Sequence, residues 1–204
     1  MYTTLLFRES PLIVILLIIV CLITSIYKYY FIFTVSLLLL IILMIFYRYK
    51  PHNKRYDNNT IVSPANGCIT YAEQNGELVN ISIYLNFLNN HTQIYPVNGV
   101  VIERLYDKNG KFGLANNINK SRYNEKKIHT IKMENNNIVK VSQIAGFFVR
   151  RIVSSNKVPE KVMAGEYLGM IKFGSRVDIE FPGTISNLKV KCGENINIGD
   201  IIYN

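Results

Sequence analysis

Between Pro11 and Tyr47 the chain carries one charged residue, Lys28, in a run dominated by Leu, Ile, Val, Phe and Tyr. No other feature limits the fold as strongly, because so long an apolar stretch must leave water. Lys28 divides it into residues 11–27 and 30–47, 17 and 18 long. As helix, at 1.5 Å rise per residue, each half reaches roughly 26 Å, the short end of what crosses a bilayer core. Two tightly connected transmembrane helices are expected, with a hairpin dipping into one leaflet as the alternative. A cleaved signal peptide is not expected, since the stretch is too long and no small-residue cleavage site follows it.

The flanks orient the hairpin. Arg48, Lys50, Lys54 and Arg55 follow the second segment, Arg8 precedes the first, and the tip offers only Lys28. The excess of cations at the base puts the remaining chain on the cytoplasmic side of the membrane. The formal net charge is +9, of which +3 falls in residues 1–50 and +6 in residues 51–204. On an anchored chain such charge meets an anionic membrane surface, and nucleic acid is not expected as a partner. Cys21, Cys68 and Cys192 lack metal-ligand spacing. Neither a disulfide framework nor a metal site follows from them, which suits a reducing compartment.

Residues 51–204 form the second expected domain, beyond a membrane anchor of residues 1–50. Turn signals recur at Asn66-Gly67, Asn75-Gly76, Asn98-Gly99, Asn109-Gly110, Asn135-Asn136-Asn137 and Pro182-Gly183. Between them lie β-rich runs at 68–72, 78–87, 100–106, 128–133, 138–144 and 147–153. Residues 116–127 are too polar for a confident helix. The fold class expected is all-β, a barrel or sandwich. A faint repeat supports a barrel-sandwich-hybrid-like arrangement: Lys161-Val162-Met163-Ala164-Gly165-Glu166-Tyr167-Leu168 lies 34 residues before Asn195-Ile196-Asn197-Ile198-Gly199-Asp200-Ile201-Ile202. Such half-motifs resemble those of lipoyl and biotinyl carriers. A membrane-tethered carrier or adaptor modified on Lys172 is therefore one reading, although Lys172 lacks the flanking methionines of such carriers.

Near the C-terminus, Gly174-Ser175 interrupts a period-2 strand pattern made by Val177, Ile179 and Phe181 with Asp178 and Glu180 between them. The context supplies a reason. Val62-Ser63-Pro64-Ala65-Asn66-Gly67 comes first. Leu85-Asn86-Phe87-Leu88-Asn89-Asn90-His91 and Pro96-Val97-Asn98-Gly99-Val100-Val101 follow. Then come Gly110-Lys111-Phe112 with Ala115, Lys120-Ser121 and Asn124-Glu125. Gln143-Ile144-Ala145-Gly146 leads to Arg150-Arg151-Ile152-Val153. Gly169-Met170-Ile171-Lys172-Phe173-Gly174-Ser175-Arg176-Val177-Asp178 closes the series. In this order the blocks resemble the short-chain phosphatidylserine decarboxylase proenzyme family, including its archaetidylserine decarboxylase members, from about Phe46 to the C-terminus.

The resemblance implies a pyruvoyl enzyme. Self-cleavage between Gly174 and Ser175 would give a β chain of residues 1–174 and an α chain of residues 175–204, whose Ser175 becomes a pyruvoyl group. The Oγ of Ser175 attacks the Gly174 carbonyl, the resulting ester eliminates, and the dehydroalanine left behind hydrolyses with loss of ammonia. The ketone then forms a Schiff base with the amine of phosphatidylserine and takes up the charge left by CO2. Phosphatidylethanolamine is the product, and no metal is required. His91 occupies the position of the family histidine of the decarboxylation step. Asn66 stands where the family carries an aspartate that supports self-cleavage, and an amide cannot hold a negative charge. Hydrogen bonding by Asn66 with slow maturation, or deamidation at Asn66-Gly67, would accommodate that change. An uncleaved lipid-binding pseudoenzyme is the other reading. Ile94 takes a position where longer members have a second histidine. Arg150, Arg151 and Arg176 are candidates for the lipid phosphate, the alternative being strand-face arginines that face solvent or pair with Glu180 and Asp178. Of the other histidines, His52 lies at the membrane edge and His129 in a strand without a motif. The family also implies a homodimer.

Overall fold

The computed structural model describes residues 3–52, 54–111, 113–115, 118–121, 123–146, 151–172 and 175–204. The chain divides into two compact units, Met1–Lys50 and Pro51–Asn204.

The first unit holds β1 (Thr3–Thr4), α1 (Leu6–Glu9), α2 (Pro11–Ile26), α3 (Tyr30–Phe46) and β2 (Arg48–Tyr49). Pro11 opens α2, where its missing N–H costs nothing. Lys28 reverses the chain with φ 59°. Val14, Thr24, Ser36 and Phe46 are buried, while most of the Leu and Ile side chains of both helices point outward. The Thr24 hydroxyl is satisfied within its own helix by the Val20 carbonyl at 2.7 Å. At the base, β1 pairs with β2 and Ser10 Oγ meets Tyr47 Oη at 2.7 Å. The helices between this base and the turn at Lys28 are 16 and 17 residues long. They reach roughly 24–26 Å, short of a hydrocarbon core of about 30 Å. Among the described residues no helix is long and apolar enough to cross a membrane, so the two full spans expected from sequence are not observed.

The second unit is β-rich, and its paired strands all run antiparallel. Its elements are β3 (Ile61–Val62), β4 (Gly67–Asn75), β5 (Leu78–Leu85), β6 (Thr92–Ile94), β7 (Gly99–Asp107), α4 (Ile118–Ser121), β8 (Lys126–Lys132) and β9 (Ile138–Ile144). They continue with β10 (Ile152–Ser154), β11 (Glu160–Val162), β12 (Tyr167–Ile171), β13 (Ser175–Pro182), β14 (Asn195–Ile196) and β15 (Ile201–Tyr203). Eight strands form one sheet in the order β11-β7-β8-β9-β13-β5-β4-β14; β10-β12-β6 form a second, and β15 pairs with β3. The expected β-rich domain is present, with strands starting and ending within about three residues of the apolar runs. Of the run at 147–153, residues 147–150, including Phe147 and Phe148, lie outside the described residues; β10 starts at Ile152. Residues 116–127 contain α4 and the start of β8. The short strands β6 and β12 were not legible, being three and five residues long.

Alternation builds the core. Val177, Ile179 and Phe181 of β13 pack with Ile81 and Ile83 of β5 and with Val139 and Val141 of β9, all essentially inaccessible. The two repeated segments each contain a left-handed glycine, Gly165 (φ 95°) and Gly199 (φ 83°). A Cβ at either would press on the His52 ring, which stacks on Tyr56 at 5.6 Å. His52 is thus a packing wedge shared by both halves of the repeat.

Candidate functional site

Ser175 begins β13, opposite Leu85 of β5. The residue is fully buried, and its Oγ has no hydrogen-bond partner among the described residues. A buried hydroxyl without a partner forgoes a bond worth about 1 kcal/mol, so such a site invites a chemical explanation. Gly174, the other half of the expected scissile bond, lies outside the described residues.

Two other site residues reach the same end of the domain. Register places Ser175 opposite Leu85, and Cys68 opposite Tyr84 one residue before it. Gly67, and Asn66 beside it, therefore lie about two strand spacings, roughly 10 Å, from Ser175. Asn66 Oδ1 accepts the Ile198 N–H at 2.8 Å. His91 immediately precedes β6 and is fully buried. Its carbonyl accepts the Ile171 N–H at 3.2 Å, just before residues 172–175. Nδ1 lies 2.8 Å from the Asn89 carbonyl. A carbonyl only accepts, so Nδ1 carries the hydrogen of this bond.

Arg176 is also buried. Its guanidinium forms an ion pair with the Asp178 carboxylate, Nη2 donating to Oδ2 at 2.9 Å. Nε lies 2.8 Å from Oδ1 without the alignment of a hydrogen bond, and Nη1 donates to Ser121 Oγ. That pairing occupies the planar face a lipid phosphate would use. Arg151 is exposed, and its carbonyl accepts the Lys172 N–H. Arg150 lies outside the described residues. Lys172 is buried, which counts against a carrier, because a modified lysine must be presented to partner enzymes. The Asn124-Glu125 block acts as a clasp: Asn124 bonds the Gly113 N–H and carbonyl and the Ala145 carbonyl at 2.6–2.8 Å. Glu125 accepts the Tyr106 hydroxyl at 2.6 Å, and burial together with that bond pushes the Tyr106 pKa up to about 12.

Three residues that carried no assignment lie behind His91. His129 Nε2 is 3.0 Å from Gln143 Oε1, Gln143 Nε2 donates to Gln93 Oε1 at 2.9 Å, and Gln93 Nε2 donates to the His91 carbonyl at 2.7 Å. All three residues are fully buried. A signal for them existed in the sequence: Gln143 continues the inward phase of Val139 and Val141, so a polar group occupies a core position. Burial lowers the His129 pKa to about 4, against the pull of its bond to Gln143. Between that value and an unfolded value near 6.5 the unfolded chain binds the extra proton, so stability rises with pH. The contribution is complete above pH 6.5 and is lost as pH falls toward 4. Urea unfolding in detergent is expected to show about 2 kcal/mol less stability at pH 5 than at pH 7.5 from this group. His129→Gln should remove that component of the acid sensitivity.

These features define a β-rich domain with a sequestered serine and histidine at one end of its sheets. The model of the phosphatidylserine decarboxylase family matches residues 41–204. The chain is 37% identical to the phosphatidylserine decarboxylase proenzyme of Wolbachia pipientis wMel over 166 residues, covering 76% of this chain and 70% of that protein. It is 35% identical to the proenzyme of Trichlorobacter lovleyi over 162 residues, 76% of this chain and 72% of that one. The corresponding figures for Geotalea uraniireducens are 31% over 163 residues, 77% and 76%. No solved structure matches the chain. The chain belongs to the phosphatidylserine decarboxylase family.

Proposed function

We propose that this chain is a proenzyme that cuts itself between Gly174 and Ser175 and then decarboxylates phosphatidylserine to phosphatidylethanolamine and CO2. Family membership supports the activity. The observation that carries the site is the buried, unbonded Ser175 Oγ at the head of β13. In self-cleavage Oγ adds to the Gly174 carbonyl carbon and the Ser175 nitrogen leaves with the hydroxyl proton, converting amide to ester. Loss of the Ser175 α-proton then expels the Gly174 carboxylate, and water replaces the nitrogen as ammonia. A pyruvoyl group fits this position in that the Ser175 Oγ it replaces has no hydrogen bond to surrender among the described residues. When formed, that group supplies an electron sink for the charge left by departing CO2.

The chain's own residues do the rest. His91, its Nδ1–H held by Asn89, presents Nε2 to return a proton to the substrate carbon. With Arg176 engaged by Asp178, the lipid phosphate falls to Arg151 and Arg150, leaving Arg176 to stiffen the strand behind the reacting residue. The outward apolar surface of α2 and α3 is unsuited to water, which supports insertion of the hairpin into one leaflet and an enzyme held at the membrane surface. Cations at the hairpin base favour the cytoplasmic side, and pairing of two chains is the family's pattern.

Intact-mass measurement of the purified full chain in detergent tests the reading. A fragment of residues 175–204 with an amine-free N-terminus supports it; a chain still whole after long incubation with phosphatidylserine at several pH values overturns it for the lipid-binding pseudoenzyme. Asn66→Asp is expected to speed cleavage severalfold at unchanged unfolding midpoint, because a carboxylate accepts the Ile198 N–H as an amide oxygen does and also supports a proton acceptor. A time course of cleavage checks this.

A further inference from the structure

The hydrogen bonds behind His91 run in one direction. The His91 carbonyl can only accept, so Gln93 must present its amide nitrogen there. Gln93 Oε1 then accepts from Gln143 Nε2, which turns Gln143 Oε1 toward His129. His129 must donate through Nε2–H, leaving Nδ1 as the bare nitrogen; Nδ1 is buried and has no partner among the described residues. Each link has one consistent orientation, set from the His91 end. The middle bond also joins two sheets, since Gln93 is in the three-stranded sheet and Gln143 in the eight-stranded one.

Gly169 makes room for that crossing. It pairs with Gln93 across β12 and β6, and a Cβ there would lie 3.0 Å from Gln143 Nε2 and well inside contact of the Val153 carbonyl. The first glycine of the Gly169-Met170-Ile171 block therefore has a steric reason.

We propose that His129, Gln143 and Gln93 are positioning residues that fix the backbone of His91, and so the aim of its imidazole, against the sheet that carries Ser175. This rests on the role given to His91 above. Apolar residues would pack a core seam more cheaply than three buried polar side chains. What the polar seam adds is directional registry between two sheets at the point where His91 leaves one and β13 begins in the other. The charged groups facing His129 are Arg104 on β7, Lys127 on β8 and Glu160 on β11, and the net effect of this setting is a neutral imidazole, as the relay requires.

The test compares wild type, Gln143→Glu, His129→Leu and His129→Gln as full chains in detergent. One readout is CO2 release per cleaved chain; the other is 15N-histidine NMR, simple because the chain has three histidines. Ionised glutamate at 143 cannot donate to Gln93, whereas the protonated acid can. Gln143→Glu is expected to lower kcat ten- to a hundredfold, with KM unchanged. The deficit should widen from pH 6 to pH 9, a profile that a packing defect alone would not produce. His129→Leu should lose kcat similarly, and His129→Gln, which keeps a donor near Nε2, should recover most of it. In the NMR arm His91 is Nδ1-protonated in wild type, and its shifts should move in Gln143→Glu at pH 9 and in His129→Leu. Folded variants with wild-type kcat and unmoved His91 shifts would overturn the relay. If wild type releases no CO2, the decarboxylase reading fails while the His91 shifts still decide the relay either way. Should Gln143→Glu not fold, the His129 pair carries the comparison.

Discussion

Ser175→Ala is expected to give a single uncut chain of 204 residues, no CO2 from phosphatidylserine, and an unfolding midpoint equal to or slightly above that of wild type. The first two effects are complete, because no other atom at that position can become the ester oxygen. The third follows from the environment. Removing a hydroxyl usually costs a hydrogen bond, about 1 kcal/mol, but Ser175 Oγ makes none among the described residues. Alanine leaves the backbone pairing to Leu85 intact. Intact mass, CO2 release and thermal unfolding on the same preparation separate these outcomes. A variant that still yielded the 175–204 fragment would remove Ser175 from the chemistry. One that lost activity through a large fall in stability would mean the hydroxyl is structural.

The second large effect is expected at His91. His91→Gln keeps much of the volume and a donor toward Asn89 but has no ring nitrogen to take up and pass on a proton. It should still cut itself, and should release CO2 about 10²- to 10⁴-fold more slowly per cleaved chain, the range for a lost general acid or base. A failure to cleave would assign His91 to maturation instead. Unchanged turnover in cleaved material would leave the proton to another group. Scoring each cleaved chain is essential, since both steps share one end of the domain.

Much of this molecule could be read from its residues. The charge-free run flanking Lys28 announced a helical hairpin, and turn dipeptides with alternating apolar residues announced the long strands, because local periodicity reflects which face is buried. Gly174-Ser175, His91 and Asn66 were visible through ordered motif blocks. Arg176 admitted two readings from sequence, phosphate binding or pairing with Asp178, and only the structure, in which the strand pleat sets Asp178 two residues on along the same face, shows that it is engaged. The pairing of His129 with Gln143 is not legible in the sequence, because a polar residue in an inward phase looks like an interruption until its partner is known. Gln93 lies about 36 positions from one and 50 from the other.

Sequence alone therefore determined the apolar hairpin and the long antiparallel strands, which depend on near neighbours along the chain, and it supplied the Gly174-Ser175 motif on which the proposed cleavage rests. Tertiary structure decided that the helices stop at 16 and 17 residues, that Arg176 is paired, and that a one-way line of hydrogen bonds ties His129 to His91. Those outcomes depend on which distant groups meet in a dry interior, where each polar atom must find a partner in three dimensions.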